Sequence, residues 1–146
     1  MKKNKILIVD DNKLNRQSLA DIFRKAYQIV ESEDGKKALE YLKKDKGLSV
    51  AAIILDLIMP VMDGFAFLEE FKKHSEYKYI PIVIATTEDN VENEKRCLEY
   101  GVWDFIPKSF HREIIWFRVM NAIKRSKQLS LIHISEPHET VLDLVC

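Results

Sequence analysis

Short apolar blocks alternate with amphipathic stretches along the whole chain. Lys5 to Val9, Ala51 to Leu55 and Ile82 to Ala85 are nearly free of polar side chains, the pattern of strands buried on both faces of a parallel sheet. Tyr27 to Val30 and Val102 to Ile106 are weaker runs that predict two more strands. Helical periods separate them. Leu19, Ile22, Phe23 and Ala26 form one apolar face behind Asn12, a capping residue, and Ala38, Leu39 and Leu42 another in Gly35 to Lys46, which Gly47 stops. A third helix is expected over Phe65 to Lys73. A fourth begins at Asn90, with Val91, Cys97 and Leu98 inward and Gly101 as its end, and a fifth runs from about Phe110 to Gln128. In that last helix Ile115, Val119, Ala122 and Ile123 share one arc and should face the sheet. Strand and helix thus alternate five times, which predicts an α/β fold: one doubly wound, five-stranded parallel sheet with five helices.

Right-handed crossovers place every strand's carboxyl end on one edge of such a sheet, the edge where open α/β sheets keep their ligands. Asp10, Asp11, Asp56, Thr86 and Lys108 all follow strand ends. Asp56 closes the most apolar strand, ahead of Leu57-Ile58-Met59-Pro60 and of Asp63-Gly64, which open the third helix. Taken singly, Asp10 and Asp11 also fit a solvated helix N-terminus, Asp56 a turn, Thr86 a cap and Lys108 a surface lysine. Brought together they describe a site. Three adjacent carboxylates repel, and a hard divalent cation such as Mg²⁺ relieves them. With an ammonium and a hydroxyl beside them, they form a seat for a phosphoryl group, with Asp56 as the nucleophile and an acyl phosphate as product.

Composition narrows the classes. The 146 residues suit one domain, and 23 basic against 23 acidic side chains exert no net pull toward nucleic acid or membrane. Cys97 and Cys146 make neither a metal pair nor a disulfide framework, which suits a reducing, cytoplasmic setting. The apolar run after the N-terminal lysines, Ile6 to Val9, is too short for a signal peptide or a membrane span.

The set KILIVDD, ILDLIMPVMDG, PIVIATTED and DFIPKSF, in this order, resembles the receiver domain of two-component response regulators over about Asn4 to Lys127. The resemblance implies a flavodoxin-like fold that takes a phosphoryl group from a histidine kinase or phosphotransfer protein and then switches a surface. It implies a signalling domain that catalyses its own phosphorylation and dephosphorylation but is no turnover enzyme. By it Asp56 is the phosphoacceptor, Asp10 and Asp11 serve Mg²⁺, Ile58 completes the metal shell through its carbonyl, Thr86 and Lys108 contact the phosphoryl group, and Phe105 is the switch aromatic. Two positions depart from the family pattern. Ser109 stands where a proline usually follows the lysine, leaving the course of Lys108 into the site open, and Trp103 stands where small or polar residues are usual. The rival of a metal-dependent phosphatase is disfavoured by Ile58, at the place where such enzymes need a second acid. A receiver-like module that is never phosphorylated is disfavoured by the presence of all three acids.

Ile114 and Phe117 fall off the sheet-facing arc of the last helix. They either pack on the fourth helix or form, with Trp103 and Phe105, a surface for a homodimer or an output domain. After Gln128 the composition changes: Leu129 to Cys146 has no lysine or arginine and shows no sustained period. LSLIHISEPHET resembles a translated sequencing adapter, so residues 128–146 read as a tail foreign to the domain, on a reading frame that is truncated or chimeric.

Overall fold

The computed structural model describes residues 3–59, 61–87, 91–109 and 111–135, with residues 91 and 133–135 described through their backbone alone. Expectations for Pro60, Asn90, Phe110 and residues 136–146 lie outside this range, as does that for the Val91 side chain. The elements run β1 (Lys5–Val9), α1 (Lys13–Phe23), β2 (Gln28–Ser32), α2 (Gly35–Asp45), β3 (Val50–Leu55), α3 (Gly64–Lys72), a 3₁₀ turn at Ser75–Tyr77, β4 (Ile82–Thr86), α4 (Val91–Glu99), β5 (Asp104–Pro107) and α5 (Arg112–Ser135). The strands pair in parallel in the order β2-β1-β3-β4-β5. That is the doubly wound, flavodoxin-like arrangement.

Two cores sandwich the sheet because successive strand residues point to opposite faces. Leu7, Val9, Ile53, Leu55, Ile84 and Phe105 turn toward α2, α3 and Cys97 of α4. Ile6, Ile8, Ile54, Val83 and Ile106 turn toward α1 and α5, where they meet Phe23, Ile115 and Val119. All six residues of β3 are buried, as befits the central strand. The inward arc expected for α5 is buried in full: Ile115, Val119, Ala122 and Ile123.

Boundaries and faces differ from the sequence pattern at several points. Ala26 does not extend the apolar face of α1, because the helix stops at Phe23 and the chain turns through Ala26 into β2, leaving that residue exposed. Leu98 points to solvent with 53% of its surface exposed, since Cys97 already fills the inward position. In α2, Lys46 itself adopts the left-handed conformation ahead of Gly47. β5 ends on Pro107, tolerated because an edge strand needs no donor on its free side. α5 continues as helix beyond Gln128 to Ser135.

Candidate functional site

The carboxyl ends of β1, β3, β4 and β5 carry the site. Asp56 continues the β3 ladder by donating its amide to the Val9 carbonyl at 2.9 Å, and its Oδ1 accepts the Leu57 amide at 2.9 Å. Asp10 is held the same way one strand over. Its amide donates to the Ser32 carbonyl at 3.0 Å, and its Oδ1 accepts the Asn12 amide at 2.9 Å. Asn12 also caps α1, accepting the Asn15 amide at 3.0 Å, so one short turn orients an acid and starts a helix.

Oxygens of Asp10, Asp11 and Asp56 lie within 4.8 Å of one another. Asp10 and Asp56 are buried, at 1% and 7% exposure, while Asp11 faces solvent. Lys108 Nζ sits 2.5 Å from Asp10 Oδ2 and 3.7 Å from Asp56 Oδ1. The Lys108 amide donates to the Thr86 carbonyl at 3.1 Å, which ties the end of β5 to the end of β4. The Lys108–Ser109 peptide is trans, as are all peptides among the described residues, and the ammonium still enters the acid cluster. Thr86 is fully buried and its side chain hydrogen-bonds the Asp56 carboxylate.

Burial pushes the Asp56 carboxyl above its ordinary range, and the charge of Asp10 adds to this. Lys108, the Thr86 hydrogen bond and the Leu57 amide pull the other way without cancelling it. The site is thus short of positive charge. Its donors are hard carboxylate oxygens, one of them open to water, and this set fits a divalent cation that keeps part of its water shell. Ile58 is 56% exposed.

Close packing shapes the loop after Asp56. A Cβ at Gly64 would stand 2.7 Å from both the Asp56 carbonyl oxygen and Leu57 Cα, so only glycine lets the start of α3 fold back onto the strand end. Val61, a β-branched residue, lies at φ 64°, a costly conformation held in an exposed loop.

One site residue was not visible in the sequence. Arg16, on the first turn of α1, donates to the Asp10 carbonyl at 2.8 Å and pairs with Glu31 at 3.0 Å, bracing the acid turn against β2. Its spacing of four from Asn12 was the available signal. Phe105, by contrast, is 7% exposed and belongs to the core on the α2–α4 side. It is therefore no part of an exposed partner surface in this conformation. Ile114 and Phe117 are exposed, at 41% and 62%, and Trp103 is half-buried with the Arg125 guanidinium over its ring at 5.4 Å.

Residues 6–136 match the family model described as the response regulator receiver domain. The chain belongs to that family. A similar receiver protein is the two-component response regulator ORR3 of Oryza sativa, 38% identical over 104 residues, which cover 70% of this chain and 78% of the relative. Among solved structures, the Vibrio cholerae chemotaxis protein CheY4 is 30% identical with a TM-score of 0.70, over 85% of this chain and 98% of its own. The Mn²⁺-bound form of response regulator Rcp1 is 25% identical with a TM-score of 0.68, over 81% of this chain and 90% of that one. As a receiver domain of two-component signalling, the chain has a family whose general features are phosphorylation on aspartate and dependence on Mg²⁺. Receiver domains work with histidine kinases or phosphotransfer proteins and are not typically turnover enzymes. Among the described residues no helix is long and apolar enough to cross a membrane.

Proposed function

We propose that Asp56 accepts the phosphoryl group, with Asp10, Asp11 and Asp56 holding Mg²⁺ and the Ile58 carbonyl completing its shell. The observation that carries this reading is the convergence of three carboxylates within 4.8 Å, with Lys108 reaching two of them. The similar Rcp1 structure, described as Mn²⁺-bound, supports a divalent cation here. In the transfer, an Asp56 carboxylate oxygen forms a bond to phosphorus while the P–N bond of a phosphohistidine breaks, and the electron pair leaves with the imidazole. A cation on the three acids supplies positive charge against the phosphoryl oxygens. Lys108, 3.7 Å from Asp56 Oδ1, supplies a second charge, and the Thr86 hydroxyl, which bonds Asp56 here, turns to a phosphoryl oxygen once the group is transferred. The same residues serve dephosphorylation by water, so the protein catalyses changes in its own state only.

In this reading the domain comprises residues 4–127, works in the cytoplasm, and is followed by a foreign tail over 128–146. Its phosphodonor is a histidine kinase or a phosphotransfer protein, and Thr86 with Phe105 forms the switch. The surface that a second copy or an output domain reads includes Trp103, Ile114 and Phe117. With Mg²⁺ and acetyl phosphate, mass spectrometry should show one added phosphoryl group, absent in Asp56→Asn. Labelling of that variant at the wild-type level would overturn the assignment.

A further inference from the structure

The sheet edge opposite Asp56 carries a second concavity. A cavity of about 190 Å³ lies between the end of α3, the 3₁₀ turn and the segment that enters β5. Its walls include Leu68, Phe71, Ile82, Val102 and Trp103. Trp103 is anchored there. Its amide donates to the Ile82 carbonyl at 2.8 Å, its carbonyl accepts from Arg125 at 3.2 Å, and the Arg125 guanidinium lies 5.4 Å from its ring centre. Gly101, at φ 83°, also borders the cavity, and a Cβ there would meet nothing within 4 Å.

Charge defines the rim. Lys72 and Lys78 both line the cavity, and among the described residues no acid does. Among the described residues neither ammonium is ion-paired with a carboxylate; each lies over a tyrosine ring, Lys72 at 5.8 Å from Tyr100 and Lys78 at 5.2 Å from Tyr79. An apolar cavity of about 150 Å³ suffices to take up a benzene ring. The space here admits one ring with a short side arm. Two ammonium groups beside apolar walls complement a ligand with an aromatic body and a single carboxylate.

We propose that this cavity binds a small aromatic carboxylate, its ring against Phe71 and Trp103 and its carboxylate between Lys72 and Lys78. The site shares no residue with the phosphoryl seat. Binding of 3-phenylpropanoate to the full chain is followed through the amide resonances of Gly101 and Trp103, with 3-phenyl-1-propanol as the uncharged counterpart. The expected result is a saturable shift, with affinity for the carboxylate about tenfold above that for the alcohol. The double variant Lys72→Gln/Lys78→Gln, altered only at exposed positions, should bind both probes equally and still take up one phosphoryl group at Asp56. No saturable shift with either probe, equal affinities in the unaltered chain, or a preference that survives in the double variant would each overturn the proposal.

Discussion

Lys108 and Asp10, 98 positions apart in sequence, meet with Nζ 2.5 Å from Oδ2 in a site where Asp10 is 1% exposed. The ammonium thus balances part of the charge that the acid cluster would offer a metal. Lys108→Gln should lower stability by about 3 kcal/mol without metal, because it leaves two buried carboxylates short of a counter-ion. The same change should tighten Mg²⁺ binding, since the cation then meets an uncompensated cluster. Thermal melts with and without Mg²⁺ check both signs, and a variant that gains nothing from the metal would contradict the second.

Ile58 bears on the lifetime of the phosphoprotein. Hydrolysis needs an aligned water, and the Ile58 side chain, 56% exposed two residues after Asp56, offers it no hydrogen bond. Ile58→Asn should shorten the lifetime by several-fold, read as decay of the phosphorylated mass after donor removal. Equal or slower decay would count against a role for this position.

Cys97 should be inert. Burial, aided by Glu94 and opposed by Arg96, pushes its thiol up to about 11. At pH 8 only about one thiol in a thousand would then be ionised, so a thiol reagent should fail to label native Cys146→Ser protein and label it quickly after denaturation. The unfolded thiol ionises from about pH 8.5 while the folded one stays protonated, so this contribution to stability is complete below that pH and lost as pH rises toward 11.

Removing residues 129–146 should leave the melting temperature nearly unchanged. Leu129, Leu131 and Ile132 are 48%, 65% and 54% exposed, so the last described turns of α5 bury little against the domain. A loss of several degrees would show that the segment docks.

The β1, β3 and β4 runs and the inward arc of α5 were legible in sequence, because a buried strand and an amphipathic helix each write their environment into local periodicity. The elements where that reading slipped are those whose ends depend on neighbours. β2 extends to Ser32 because it pairs with Val9, and Ala26 leaves the α1 face because the chain must turn into that pairing.

The candidate site divides along the same line. Strand-end positions named Asp10, Asp11, Asp56, Thr86 and Lys108, since parallel topology alone sends those ends to one edge. Only tertiary structure decided that Lys108 leans on Asp10 more closely than on Asp56, that Arg16 braces the Asp10 turn, and that Phe105 rests in the core. Each of those outcomes is set by side-chain packing and charge between segments distant in the chain, and no local period records it.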